Sequence, residues 1–317
     1  MRIAILGGTQ FIGRAITSRL AGEGHELLVV HRGEHEPADL PDARHAHVDR
    51  HDGPALREAV AGFRAEAAVD VSGMNARAAE AALGAFGPEV KLVAISSCDV
   101  YRAYDALHAG WTSDALPLTE NSPLRERRFV DGPEYENLEM EERYLPRGAT
   151  VLRLGAVYGE HDYQRRFEFV LRRVRAGRKR IPVGSGQFLF SRVYVGDVAA
   201  AVSLALAGDH RGEAFNVVER ATAPYRLFAE QILAAADAPD ASDVELVRVS
   251  DERLPADLEL TGVLSQHLLM DPGKARTVLG WEPVDPAASL RESVRWHLAN
   301  PPVDASDDFS ADEAALE

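Results

Sequence analysis

Cysteine is almost missing from this sequence, and so is lysine. The single cysteine, Cys98, excludes an internal disulfide and fits a reducing compartment. Only Lys91, Lys179 and Lys274 are lysines, so nearly all positive charge is arginine. No apolar run suits a membrane span, because the longest, 193–207, carries Asp197. The first apolar run is too short for a leader and ends in glycines, so a cytoplasmic protein is expected. Net charge is −15, with 35 Lys and Arg against 50 Asp and Glu, which argues against a general nucleic-acid binder. The end of the chain, 303–317, holds Asp304, Asp307, Asp308, Asp312, Glu313 and Glu317 with no Lys or Arg. An acidic disordered tail is expected there. What is present suffices for a sizeable core: 317 residues, of which 46% are hydrophobic.

The rest of the chain is organised around its start. Ile3 to Leu6 reads as a short buried strand, Gly7 and Gly8 break it, and Ile12, Ile16 and Leu20 recur at helical spacing. Strand, glycine turn and helix aim free backbone N–H groups at a phosphate. Gly7 permits the turn and Gly13 lets the helix lie close to it. Gln10 stands where many such loops have another glycine. Gly7, Thr9, Gln10, Phe11, Ile12 and Gly13 are therefore expected to hold a dinucleotide.

A second buried strand, Leu27 to Val30, ends at His31-Arg32-Gly33. An NAD site usually has a carboxylate there for the ribose, and this chain has none. Arg32 suits a 2′-phosphate, so NADP(H) is expected in preference to NAD(H). His45, His47 and Asp49 alternate along a third strand, but no second cluster completes a metal-ligand set, and no metal is expected. Asp49 and Arg50 are placed beside the adenine instead. Ala67 to Ser72 is a fourth strand, whose end, Ser72-Gly73, would pass the ribose. Val90 to Ile95 and Thr150 to Leu154 follow as strands, with helices at 76–86 and 134–145. This alternation predicts an α/β doubly wound parallel Rossmann sheet with a smaller C-terminal substrate domain. The dinucleotide-binding domain is set at 1–158, completed by 188–222. The substrate part is set at 159–187 and 223–302. The long unpatterned segment 102–132 is expected to be functional.

Several motifs together carry a family resemblance over the chain up to about residue 300. They are the glycine turn 7–13, Ser96-Ser97 with Val100-Tyr101, Pro117-Leu118-Thr119-Glu120, Val157-Tyr158-Gly159 and Val195-Gly196-Asp197-Val198. Asp271-Pro272-Gly273-Lys274-Ala275-Arg276 and Leu279-Gly280-Trp281-Glu282-Pro283 add to them. The chain resembles an atypical extended short-chain dehydrogenase/reductase of the NAD-dependent epimerase/dehydratase family. The resemblance implies that Ser97 holds a substrate oxygen, that Tyr135 exchanges a proton with it, and that nicotinamide gives or takes a hydride. It also implies a homodimer built on the helices at 76–86 and 134–145. Asp99 falls where the family's dehydratases carry an acid; Cys98 falls on their other acidic position, beside the substrate.

The family's Tyr-x-x-x-Lys pattern would require a lysine at 139, and this chain has Glu139. A unit negative charge ~6 Å from the phenol, at an effective dielectric of about 20, is worth roughly 3 kcal/mol, or about two pKa units. Tyr135 should then stay protonated and favour reduction of a carbonyl over oxidation of an alcohol. Three alternatives stand beside this: Glu139 serves as the base, an arginine from 125–128 supplies the missing cation, or the site only binds. Sugar-nucleotide members grip the diphosphate with an arginine at the position of Phe190; the nearest arginine here is Arg192. The arginine-rich stretch 165–180 reads as an amphipathic helix with a solvated basic face. The reading is an NAD(P)-dependent reductase or epimerase-like enzyme on a small polar or sugar-like substrate. A sugar dehydratase, and a non-catalytic NADP- or RNA-binding family member, are the alternatives.

Overall fold

The computed structural model describes residues 1–128, 135–236, 243–303 and 306–317. Its strands are β1 (Arg2–Leu6), β2 (Glu26–His31), β3 (Arg44–His47), β4 (Ala67–Asp70), β5 (Lys91–Ser97) and β6 (Thr150–Leu154), then β7 (Ala156–Tyr158), β8 (Arg180–Val183), β9 (Arg192–Tyr194), β10 (Ala214–Val217) and β11 (Glu245–Arg248). Seven of these form one sheet in the order β10-β6-β5-β4-β1-β2-β3, and every neighbouring pair in it is parallel. The doubly wound sheet expected from the sequence is present. Its strand order reverses between β1 and β4, which opens a crevice at the carboxyl ends of the strands.

Both faces of the sheet are covered, which is why its strands are apolar throughout rather than alternating. Ile3 and Ile5 of β1 pack with α1 (Phe11–Gly22) and α7 (Val195–Ala207). Ala4 and Leu6, one residue out of phase, pack with α2 (Gly53–Ala61), α3 (Ala76–Ala85) and α5 (Asn137–Tyr144) on the other face. A third core joins α6 (Glu168–Arg175), α8 (Tyr225–Ala235) and α9 (Pro286–Ala299) with β8 and β11. This smaller part sits over the sheet's carboxyl edge. The segment after β5 is less irregular than its composition suggests. It contains α4 (Arg102–Ala109) and then runs back against 265–271, where Leu118 N donates to Leu269 O at 2.7 Å.

The acidic end of the chain corrects an expectation. Ser310–Leu316 forms α10, and its Asp312 is fully buried. Arg173 of α6, also fully buried, donates Nε to Asp312 Oδ2 at 2.6 Å and Nη2 to Oδ1 at 2.7 Å. Phe309 lies under two guanidinium groups, those of Arg172 at 4.8 Å and Arg178 at 5.3 Å. The same contacts correct the solvated basic face: Arg173 is interior, Arg175 pairs with Glu168, and Arg178 with Glu313 at 3.1 Å. Counting acids within the tail alone hid their partners, which lie far back along the chain. Asp304 lies outside the described residues.

Candidate active site

The glycine turn is shaped by close approach. Gly7 has φ +86°, and a Cβ on Gly13 would overlap the Gly7 carbonyl. Only a bare backbone brings the start of α1 so near to β1. Gln10 is the extended residue preceding α1, so the first N–H groups of the helix, which lack intrahelical partners, face outward. They face a crevice of about 570 Å³ lined by Gly7, Thr9, Gln10, Phe11, Ile12 and Gly13. Across it stands Tyr163, whose ring meets Phe11 edge-on at 6.1 Å. A cradle of glycines, a helix N-terminus and flanking side chains fits a dinucleotide pyrophosphate.

The adenosine end of the crevice departs in detail from the sequence reading. His31, Arg32, Asp49, Arg50 and Ser72 all line it. Arg32 is two-thirds exposed and pairs at 2.9 Å with Glu34, a lining carboxylate that the sequence reading missed. Arg50 lines the crevice while its guanidinium turns inward. Its guanidinium bonds Asp70, Ser72 Oγ at 2.9 Å and Ala78 O at 2.9 Å. Gly73 does not line the crevice. It is buried, and a side chain there would strike the Asp70 carboxylate.

The alternating histidines come together differently than their spacing suggested. His31, Glu36 and His45 converge, His47 bonds Glu36 at 2.8 Å, and Asp49 stays apart, accepting from His51 N–H. The Gly33 N–H reaches His31 Nδ1 at 3.1 Å, so in the neutral ring Nε2 carries the proton and donates it to His45 Nδ1 at 2.9 Å. A metal at Nε2 would have to break that arrangement.

Beyond the crevice lies a cavity of about 1070 Å³, lined by Ser97, Cys98, Asp99, Tyr135 and Arg192 among others, and by Ser306 and Asp308 of the chain's end. Ser97 closes β5, and Asp99 follows in the short turn that Ser97 Oγ caps by accepting the Asp99 N–H at 3.2 Å. Among the described residues, the hydroxyl hydrogen of Ser97 has only the Cys98 sulfur, at 4.0 Å. Asp99 is 2% exposed. Burial raises its carboxyl from 3.8 to about 6, against the opposing pull of Asn137 (Nδ2 to Oδ2, 2.8 Å), Arg125 and the Tyr135 hydroxyl. Tyr135, although 42% exposed as a residue, is held above its ordinary 10.0 by local desolvation first and then by Asp99. The phenol is therefore protonated at neutral pH, and the cause differs from the one expected. Burial likewise lifts the Cys98 thiol to about 12, so it is an inert wall.

Glu139 is not part of this arrangement. It lines neither the crevice nor the cavity, and Arg143, one turn along α5, pairs with Glu80 at 2.9 Å. Tyr135 precedes α5, so the residue of that helix that meets the Asp99 carboxylate is its first, Asn137. Asn137 escaped the sequence reading, whereas Arg125 belongs to the 125–128 stretch that the sequence offered as one source of a cation. Arg125 is the nearby cation, fully buried, 4.0 Å from Asp99 Oδ1 and 2.8 Å from Glu136 Oε1. It is held by carboxylates, so it supports Asp99 rather than a phenolate.

Residues 3–218 match the model of the NAD dependent epimerase/dehydratase family. The chain belongs to that family. Among curated proteins, it is 26% identical to the chloroplast stem-loop binding protein of 41 kDa b of Arabidopsis thaliana, covering 99% of this chain and 84% of that one. Among solved structures, dTDP-glucose 4,6-dehydratase of Bacillus anthracis in complex with NAD superposes with a TM-score of 0.73 at 18% identity, over 95% of this chain and 97% of that one. UDP-glucose 4-epimerase of Thermotoga maritima with UDP-glucose gives 0.70 at 20% identity, over 93% and 98%. These likenesses establish the extended dehydrogenase/reductase fold. Within the described residues no helix is long and apolar enough to cross a membrane.

Proposed function

We propose that this family member is a nicotinamide-dinucleotide-dependent reductase or epimerase-like enzyme acting on a small polar or sugar-like carbonyl or hydroxyl compound. One observation carries the reading: a glycine cradle at a helix start opens toward a cavity where Ser97, Asp99 and Tyr135 meet. In this reading Gly7, Thr9, Gln10, Phe11, Ile12 and Gly13 hold the pyrophosphate. The bound dinucleotide supplies hydride donation or acceptance. Ser97 Oγ–H donates to the substrate oxygen, since its hydrogen has no strong partner. Asp99, with its carboxyl near 6, takes or gives a proton near neutral pH, and the protonated Tyr135 bonded to it relays that proton to the same oxygen. Asn137 holds the Asp99 carboxylate in position. A homodimer through α3 and α5 belongs to the same reading.

NADP(H) is proposed over NAD(H) because Arg32 reaches the adenosine end on an exposed side chain tethered only by an ion pair to Glu34. Titration of the protein with NADPH and NADH, followed by ketone reduction assays, tests both points. Arg32→Ala is expected to weaken NADPH about tenfold while leaving NADH nearly unchanged. Equal weakening removes the 2′-phosphate assignment, and no binding of either coenzyme removes the enzymatic reading. Stem-loop binding, the property named for the Arabidopsis relative, is the weaker reading here. The arginines of α6 that would face a nucleic acid are buried or paired with acids, and Phe167 and Phe169 belong to the core.

A further inference from the structure

Four arginines line the large cavity, and three of them are already engaged. Arg166 pairs with Asp162 at 3.2 Å, Arg172 with Asp257 at 2.9 Å, and Arg165 donates to Asn300 O at 2.7 Å. Arg192 is different. It is 3% exposed, its guanidinium lies 3.7 Å over the Phe228 ring and 5.0 Å over Tyr225, and Nη1 donates to Ala223 O at 3.0 Å. Nη2 makes no hydrogen bond of good geometry among the described residues, and the Tyr225 hydroxyl is the polar group that interacts with the guanidinium from its aromatic side. The carboxylate whose field reaches it, Glu219, is occupied by the Tyr158 hydroxyl at 2.6 Å.

A buried guanidinium with an unused N–H edge, and with no carboxylate within ion-pair distance among the described residues, is costly, and the two aromatic faces recover only part of that cost. The side chain is nevertheless held in one place by those rings and by the Ala223 carbonyl, as a binding group must be. Phe190, two residues earlier, also lines the cavity, so aromatic and cation follow each other on one face of the chain. With Nη1 engaged, a single edge remains free, which suits one anionic group rather than a chain of two.

We propose that Arg192 reads one anionic group, a carboxylate or a phosphate monoester, carried by a small substrate whose reacting oxygen lies at Ser97 and Asp99. This rests on the reading of the cavity as a substrate site and narrows its substrate class to small acids and monophosphates, with nucleoside-diphosphate sugars excluded. Calorimetric titration of the full-length protein, pre-mixed with NADPH, uses three probes: inorganic phosphate, malonate and UDP. Phosphate or malonate is expected to bind, with UDP no tighter than the better of the two. Arg192→Met should weaken that probe at least tenfold with NADPH affinity unchanged, and Arg192→Lys, which keeps the charge without the planar fork, should fall between. Unchanged anion affinity in either variant overturns the proposal, as do tighter UDP binding and a native protein that binds neither small anion. If Arg192→Met fails to fold, Arg192→Lys decides. Anion binding that depends on Arg192 in a protein that ignores both coenzymes would keep this site and remove the dinucleotide reading instead.

Discussion

The seam that anchors the C-terminal helix and the wall of the large cavity each bury an arginine, and the two are satisfied in opposite ways. Arg173 is fully buried between Asp312 and Asp257, with every charged contact at 2.6–3.1 Å. Arg192, nearly as buried, has rings above it, one carbonyl, and an unused N–H edge. A fully partnered buried charge holds two segments in register. One left short of a partner, at a cavity wall, costs stability and is suited to a ligand.

The sharpest way to break this contrast is to remove one partner from each arginine's surroundings. Asp312→Ala leaves Arg173 buried beside only Asp257 and is expected to cost about 3–5 kcal/mol in chemical denaturation. Arg192→Met removes a charge that has no acid partner and is expected to change stability by less than about 1 kcal/mol, in either direction. Equal losses in the two variants would mean that Arg192 is structural.

A second test extends the contrast to Asp99, another buried group held against its ordinary charge state. Its folded carboxyl titrates near 6 against 3.8 when exposed, so the folded chain binds the proton more tightly than the unfolded one. Stability from this group is therefore present at low pH and lost as pH rises from about 4 to 6, by about 3 kcal/mol in full. Asp99→Asn should be more stable than the native chain at pH 7, and the difference should vanish near pH 4. A difference that is the same at both pH values would show that Asp99 does not titrate there. The smallest effect is expected at Glu139. Glu139→Lys should shift stability by no more than about 0.5 kcal/mol and leave NADPH affinity alone, since the side chain lies outside both cavities. A marked shift in the pH profile of turnover would return Glu139 to the chemistry.

Most of the fold could be read in advance because its signals are local. The run Ile3 to Leu6, the bend at Gly7 and the helical spacing after it needed no distant partner to be interpreted, and the parallel sheet followed from repeating that unit. Ser97 and Asp99, singled out through the family resemblance, both line the large cavity at a strand's carboxyl end. Glu139 was misplaced because a motif fixes spacing along the chain but not the start of a helix: α5 begins at Asn137, and its first residue takes the place beside Asp99. Arg50 and Gly73 lie as they do because of Asp70, whose buried carboxylate draws one inward and needs the other bare.

The order of strands and helices, the glycine cradle and the family were contained in the sequence, because each depends on residues within one turn or one strand of each other. The pairing of an acidic end with a basic helix, the desolvation and carboxylate that hold the phenol protonated, and the isolation of Arg192 were decided only in three dimensions. Charge and burial depend on distance through space, and the groups that set them here come from segments that the chain itself keeps far apart.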